Sequence, residues 1–209
     1  MDLTQIKTEI CAVTKQRSLE EIQTMLTANP QIKIIAENRW PDCESAFKHF
    51  TALKRHFIGP LQSRKIPKVI PLIDCIQSVD SIELLEKIQL HCSKLSKTLD
   101  FCFQVNISQD PSKNGIHPEK LKAKIEDYIK GNFPNLKLIG LMTIGAQSSI
   151  PERKKYFKDF RQLLDQVNAE FFPNTPLPTL SMGMSEDFEI AIESGSTMLR
   201  LGRILFQNL

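Results

Sequence analysis

The sequence lacks the features that would place it in a membrane or secreted class. No apolar run approaches the roughly 18 residues needed to span a bilayer, so we expect no transmembrane helix and no membrane partner. The first residues, read as Met-Asp-Leu-Thr-Gln, contain no basic region followed by an apolar stretch. A secretory signal is therefore not predicted.

The cysteines lack the spacing of a metal site or a disulfide framework. There are five of them, an odd number, and no two form a Cys-x-x-Cys pair. They are Cys11, Cys43, Cys75, Cys92 and Cys102. Metal centres and disulfide scaffolds need closer or paired spacing. The pattern predicts free thiols in a reducing cytoplasm and no metal.

The sequence also lacks a large net charge and the glycine-rich composition of a flexible linker. The 27 Lys and Arg residues exceed the 24 Asp and Glu residues by only three, and they are spread evenly. This balance gives no electrostatic platform for nucleic acid. Twelve prolines against eight glycines indicate defined element ends. A chain of 209 residues that is 41% hydrophobic fits one domain over 1–209.

Short apolar runs alternate with amphipathic stretches along the chain, which predicts alternating strands and helices. The predicted strands are 10–14, 32–36, 56–58, 75–79, 101–107, 136–144, 179–181 and 198–201. The predicted helices are 18–28, 44–53, a weak one interrupted by Pro67, 80–95, 118–130, one from 151 to about 171, 185–194, and a final turn at 203–206. Capping boxes are predicted at 18–21 and 80–83, and Gly195 is expected to end its helix.

Eight strand–helix units of about 26 residues each predict an α/β fold of the (β/α)8 barrel type. The alternative is an open, doubly wound sheet, which often carries Gly-x-Gly-x-x-Gly after its first strand. That motif is missing here, so the closed barrel is favoured. Active sites of such barrels lie at the carboxyl ends of the strands, where polar and glycine residues recur in this sequence.

Lys15 stands at the end of the first predicted strand, directly after Ala-Val-Thr. An apolar wall beside it would desolvate the amine and favour its neutral form, which can form a Schiff base with an aldehyde. An ordinary solvated loop lysine is the alternative. Asn38 ends the second strand, and Trp40 could either wall the pocket or pack in the core.

The last two strands end in groups suited to an anion. Ser181 begins the run Ser-Met-Gly-Met-Ser, and Gly202 and Arg203 begin the final helical turn. Hydroxyls and free backbone N–H groups there could bind a phosphate, although a plain turn and a solvated arginine are equally compatible. Arg200 alternates with two leucines and should point into the barrel, toward a ligand or toward an ion-pair partner such as Glu37.

At these residues the sequence resembles the pyridoxal phosphate homeostasis proteins, which are related to the N-terminal barrel of alanine racemase. The matching stretches are 12–15, 37–38, 56–63, 77–80, 104–108, 112–115, 140–144, 180–185 and 195–202. They run nearly end to end, and their order is more specific than any one of them.

The resemblance implies a single-barrel protein that binds pyridoxal 5′-phosphate (PLP), with Lys15 as the Schiff-base lysine. It implies that Asn38 lines the ring, that Arg200 faces the pyridine nitrogen, and that Ser181, Gly202 and the backbone of Arg203 hold the phosphate. It further implies a cytoplasmic monomer that maintains PLP and amino-acid levels without clear turnover. PLP-dependent apo-enzymes are the protein partners to be expected.

The sequence departs from the family in several places. Only about nine residues precede the first strand, where the family has a helix. Ala36 replaces a glycine, 39–42 replaces the usual continuation, Arg64 replaces an asparagine, and Arg203 replaces a threonine. Three other functions therefore stay open: a PLP-dependent racemase-like enzyme, a Schiff-base aldolase, and an interaction module without cofactor.

Overall fold

The protein, for which a computed structural model describes residues 6–145 and 148–207, forms a closed eight-stranded barrel. The strands are β1 Glu9–Val13, β2 Ile34–Glu37, β3 Lys54–Phe57, β4 Cys75–Val79, β5 Leu99–Gln104, β6 Leu136–Met142, β7 Thr179–Ser181 and β8 Met198–Leu201. Every neighbouring pair is parallel, and β8 closes onto β1 with Ala12 opposite Leu201. The predicted (β/α)8 fold is confirmed, and the open sheet is wrong.

Helices follow the strands and cover the barrel. They are α1 Leu19–Ala28, α2 Cys43–His49, α3 Ile66–Val69, α4 Ile82–Lys94, α5 Pro118–Lys130, α6 Ile150–Phe171 and α7 Phe188–Glu193. Short 3₁₀ turns lie at Ser63–Lys65, Ile70–Leu72 and Arg203–Phe206. Among the described residues, no helix combines the length and apolarity needed to cross a membrane. The expected shortening before the first strand concerns mainly residues 1–5, which lie outside the described ranges.

Two apolar layers hold the barrel. A large outer core fills the space between strands and helices, and it includes the predicted stripe of α6 through Phe157, Phe160 and Leu164. A small inner cluster lies inside the barrel and consists of Cys11, Ile34, Ala36 and Met198. Successive residues of a strand face opposite layers, so this cluster shows which positions point inward.

Several helix ends follow the predicted signals, and others differ. Ser18 and Glu21 form the predicted capping box of α1, and Gly195 follows α7 with a φ of +86°, a conformation that favours glycine. The capping box predicted at 80–83 is wrong. The helix begins one residue later, so Ser81 is the N-cap, and its hydroxyl accepts the Leu84 N–H.

Several predicted elements extend beyond the observed ones, including the strand predicted over 136–144, which ends at Met142. The helix predicted to 53 ends at His49, because the chain turns there, with the Leu53 N–H bonded to the Phe50 carbonyl, before β3 begins. The helix predicted from 185 begins at Phe188, because the Asp187 carboxylate accepts the Met184 N–H at 2.7 Å and holds a turn. The fifth strand ends at Gln104, and the next residue, Val105, donates its N–H to the Met142 carbonyl and forms an isolated bridge with Ile116.

Candidate functional site

All six residues predicted for the site lie at the carboxyl-terminal rim of the barrel. Lys15 and Asn38 follow β1 and β2, Ser181 ends β7, and Arg200 lies in β8. Gly202 and Arg203 come directly after β8. The pairing of β8 with β1 brings this segment beside Lys15: a Cβ placed on Gly202 would lie 3.5 Å from the Val13 carbonyl oxygen. The barrel thus brings residues from both ends of the chain to one mouth.

Lys15 lies in a turn after β1, and its side chain is exposed. The expected desolvation beside an apolar wall is therefore wrong, because the turn carries the amine out of the barrel wall. The amine forms no hydrogen bond or ion pair with any residue in 6–145 or 148–207. An amine without a carboxylate partner is sterically and electrostatically available to an aldehyde.

Arg200 points into the barrel, as its alternation with two leucines predicted, and it is 4% exposed. Its Nη1 donates to Ser181 Oγ and its Nη2 donates to the Thr143 carbonyl, both at 2.7 Å. Thr143 in turn donates its hydroxyl to the Val105 carbonyl. Because a guanidinium has five N–H donors, these two contacts leave donors for a ligand.

Glu37 does not pair with Arg200, contrary to the alternative considered for this arginine. It follows the inward-facing Ala36 and therefore points outward, between strand and helix layers. The Thr14 hydroxyl donates to Glu37 Oε1 at 2.6 Å, while Oε2 accepts no hydrogen bond within the described ranges. Burial, more than the nearby Asp42, raises the pKa of Glu37 to about 7.

Inside the barrel, a hydrogen-bonded chain continues from Ser181 to His56. The Ser181 hydroxyl donates to Gln77 Oε1 at 2.7 Å, and Gln77 Nε2 lies 2.8 Å from His56 Nδ1. Since Gln77 Nε2 is a donor, His56 accepts at Nδ1 and carries its proton on Nε2. Burial lowers the pKa of His56 to about 4. His56 is thus a buried histidine whose Nδ1 is satisfied by Gln77.

Sequence reasoning named Glu37 only as an alternative ion-pair partner of Arg200, and it included Gln77 only as part of the matching stretch 77–80 and not as a contact of the site. The sequence did contain an indication for Gln77. It is a long polar side chain in the middle of the strand Cys-Ile-Gln-Ser-Val, whose other residues are apolar or small. A buried amide needs partners, and inward alternation points it at the barrel axis. No signal in one sequence indicated that Ser181 would be its partner 104 residues away.

Ser181 lies at the predicted place, and its hydroxyl is engaged by two neighbouring side chains. It is fully buried, donates its hydroxyl proton to Gln77 and accepts from Arg200. A phosphate oxygen needs a donor, and the single proton of this hydroxyl is already engaged. In the same loop, Ser185 Oγ lies 3.4 Å from the Gly202 N–H and is half-buried.

Gly202 and Arg203 differ in how well they suit an anion. A Cβ on Gly202 would lie at ordinary van der Waals distance from Val13, and the Gly202 N–H donates to Ser185 Oγ at 3.4 Å. The Arg203 side chain is exposed and forms an ion pair with Glu186. The guanidinium that replaces the family threonine is therefore already neutralised, and only the Arg203 backbone remains at the start of the 3₁₀ turn.

The Asn38 side of the mouth is closely packed. Asn38 is half-buried, and its amide has no partner among the residues described. A Cβ on Gly59 would lie 2.0 Å from the Asn38 carbonyl oxygen, so only glycine allows this approach. Trp40 packs against the outer core, and the Lys65 amine donates to its carbonyl. The indole therefore serves packing, one of the two expected roles.

A second lysine also lies at the mouth of the barrel. Lys113, in the loop between β5 and α5, donates to the Gly145 carbonyl at 2.5 Å. Burial lowers its pKa, while Asp110 and Asp187 act in the opposite direction. This contact joins the loop after β5 to the loop after β6.

Neither a metal centre nor a disulfide is present in the described ranges. No group of three or more His, Cys, Asp or Glu side chains is placed there to hold a metal ion. All five cysteines are free, as predicted, and all are buried. A groove of about 550 Å³ between α4 and the end of α5 contains none of the six site residues.

Comparisons with known proteins agree with this geometry. The sequence profile of the family "Alanine racemase, N-terminal domain" matches residues 2–208. The pyridoxal phosphate homeostasis protein of Aquifex aeolicus is 38% identical over 184 residues, covering 85% of this chain and 78% of that protein. The protein of the same name from Helicobacter pylori strain 26695 is 36% identical over 205 residues, covering 95% and 87%.

Solved structures show the same barrel. PipY of Synechococcus elongatus, determined with PLP bound, has a TM-score of 0.86 at 27% identity, covering 97% of this chain and 95% of that one. Alanine racemase of Clostridium difficile has a TM-score of 0.78 at 17% identity, and the match covers 55% of its chain. That second likeness concerns the fold alone. The chain belongs to the pyridoxal phosphate homeostasis protein family, within the group that shares the alanine racemase N-terminal barrel.

Proposed function

We propose that this chain binds PLP through a Schiff base to Lys15 and serves in cytoplasmic PLP and amino-acid homeostasis without catalytic turnover. The observation that carries the proposal is the pairing of two groups at one mouth. Lys15 presents an amine without a partner among the described residues, and Arg200 presents spare N–H donors inside the barrel. These groups match the aldehyde and the pyridine nitrogen of PLP.

The remaining rim residues complement the rest of the cofactor. We assign the phosphate to the backbone of Gly202 and Arg203 and to the Ser185 hydroxyl, which lies 3.4 Å from the Gly202 nitrogen directly after β8. Asn38 lines the ring from the β2 side, with an amide that has no other partner within 6–145 and 148–207. Ser181 contributes through Arg200, as argued in the next subsection.

Arg200 also supports a role without turnover. When bound, PLP supplies an electron sink whose strength depends on a proton at its pyridine nitrogen. A guanidinium is a donor only, so Arg200 opposite that nitrogen keeps it unprotonated and weakens the sink. The residues of this mouth therefore hold the cofactor better than they activate it.

A titration of the purified chain with PLP tests the proposal. An absorbance band of the covalent adduct should grow to saturation and be absent in Lys15→Ala. Borohydride reduction followed by peptide mapping should place a pyridoxyl group on Lys15. Lys54→Ala, at the opposite end of the barrel, is the matched control and should behave as the wild type. A wild-type chain without a saturable band, or an adduct on another lysine, would contradict the proposal.

A racemase-like enzyme is the second candidate, and Lys113 is the observation that favours it. Its half-buried amine lies in the loop after β5, at the same carboxyl-terminal end of the barrel as Lys15, and would be the second proton carrier. Exchange of the α-hydrogen of an amino acid for solvent deuterium measures this directly. Rapid exchange in the PLP-loaded wild type that is lost in Lys113→Gln would support the enzyme over the carrier.

Handing PLP to apo-enzymes as a monomer completes the homeostasis role. Two samples should be compared, the PLP-loaded wild type and the same protein after borohydride reduction. Each is mixed with a PLP-dependent apo-enzyme, and the recovery of that enzyme's activity is followed. Only the first should restore that enzyme faster than the same concentration of free PLP, because reduction makes the linkage permanent. Light scattering should give the mass of one 23.9 kDa chain.

A further inference from the structure

The barrel interior contains a polar chain that the assigned ligand contacts do not explain. It runs from His56 through Gln77 and Ser181 to Arg200, with successive distances of 2.8, 2.7 and 2.7 Å. Each of the four side chains is 5% exposed or less. Buried polar groups are expensive unless they are fully paired, and here each member supplies a partner to the next.

We propose, on the basis of the proposed function, that Ser181 and Gln77 are positioning residues that orient Arg200 toward the cofactor ring, and that Ser181 does not bind the phosphate. Arg200 is the group that would touch the ring, and Ser181 and Gln77 act through it. This assignment replaces the direct phosphate contact that the family resemblance implied for Ser181.

The donor inventory of Ser181 supports this assignment. A serine hydroxyl has one proton and can donate once. That proton goes to Gln77 Oε1, and the hydroxyl oxygen accepts from Arg200. A phosphate dianion accepts hydrogen bonds and donates none, so Ser181 could reach it only by breaking the bond to Gln77.

The surroundings of Gln77 make that rearrangement unfavourable. Its Nε2 faces His56 Nδ1 and also lies 3.2 Å from Met198 Sδ and 3.8 Å from Cys11 Sγ. With the amide rotated by half a turn, its oxygen would face two sulfur atoms that are weak donors or none, and it would accept from His56 only if the imidazole proton moved to Nδ1. Gln77 therefore keeps its oxygen toward Ser181, and Ser181 keeps an oxygen lone pair toward Arg200.

Comparing PLP with pyridoxal, which has the aldehyde and ring but no phosphate, separates the two roles. We expect Ser181→Ala and Gln77→Met to weaken both ligands by the same factor, on the order of tenfold. Ser181→Ala removes the hydroxyl that accepts from the Arg200 guanidinium, and Gln77→Met removes the acceptor that orients this hydroxyl. Ser185→Ala should weaken PLP and leave pyridoxal unchanged. Ser181→Thr keeps the hydroxyl and should restore binding of both ligands.

The buried Ser194 provides the control. Its hydroxyl has no partner within the described ranges and lies outside the chain of contacts to Arg200. Ser194→Ala should bind both ligands as the wild type does. The double variant Ser181→Ala/Gln77→Met should resemble either single variant, because both act through Arg200 and their effects should not add.

The apo-protein offers a readout that needs no ligand. Ring ¹⁵N NMR of the wild type should show His56 with its proton on Nε2 and an accepting Nδ1, and Gln77→Met should shift the Nδ1 resonance. A wild-type His56 protonated at Nδ1 would overturn the proposed orientation of the chain, even if Ser181→Ala fails to fold.

Three ligand results would also overturn the inference: loss of PLP binding alone in Ser181→Ala, no loss of either ligand in that variant, or additive losses in the double variant. A wild type that forms an adduct with neither ligand would instead refute the proposed function. The failures of the two proposals are thus distinguishable.

Discussion

Replacing Glu37 by glutamine should stabilise the protein at neutral and alkaline pH. The carboxyl is 3% exposed and has one unpartnered oxygen among the described contacts, so its charged form is poorly solvated. The pKa of Glu37 rises from 4.5 to about 7. The folded state therefore holds this proton more tightly than the unfolded state. Stability that is fully present below pH 4.5 is lost as the pH rises through about 7.

The magnitude follows from the size of the pKa rise. At about 1.4 kcal/mol per pH unit, the wild type should lose about 3 kcal/mol across this window. Glu37→Gln keeps the shape and an oxygen acceptor for Thr14 but cannot ionise. The difference in unfolding free energy between the variant and the wild type should therefore grow by about 3 kcal/mol between pH 4.5 and 8.

Urea unfolding of the apo-protein at a series of pH values measures this difference. His56 works in the opposite direction, because its lowered pKa gives stability that is present above pH 6.5 and lost as the pH falls through about 4. Its contribution cancels when variant and wild type are compared at the same pH. Glu83→Gln removes an exposed carboxylate by the same substitution and serves as the control. A difference for Glu37→Gln that stays constant from pH 4.5 to 8 would refute the reasoning.

Three further predictions concern Gly59, Cys11 and Ser18. Gly59→Ala places a Cβ 2.0 Å from the Asn38 carbonyl, and we expect a loss of about 1–3 kcal/mol in urea unfolding together with weaker PLP binding. Unchanged values would show that the backbone relaxes freely there. Burial raises the pKa of the Cys11 thiol to about 12. The native protein should therefore react with an aromatic disulfide reagent only as fast as it unfolds. Fast labelling of Cys11 would contradict its burial. Ser18→Ala removes the capping box with Glu21 and should destabilise the chain by about 1 kcal/mol in thermal unfolding, with no effect on PLP binding.

Local patterns in the sequence determined most of the architecture. Three strands, 75–79, 179–181 and 198–201, have the predicted bounds because short apolar runs stand between strong turn signals. The start of α5 at Pro118 and the stop at Gly195 follow from backbone restrictions of those residues alone. The observed start of α7 differs from the predicted one because the Asp187 carboxylate accepts the Met184 N–H and holds residues 184–187 in a turn. The periodicity of apolar residues does not predict such a contact.

The order of residues also predicted which of them reach the mouth, since parallel strands of a barrel end at one rim. Only the tertiary structure decided what those residues do there. It showed an exposed Lys15, an outward-facing Glu37, and an Arg200 held by Ser181. Hydrogen bonds such as the one from Ser181 to Gln77 join positions 104 residues apart, and their partners become known only when closure of the barrel brings distant strands face to face.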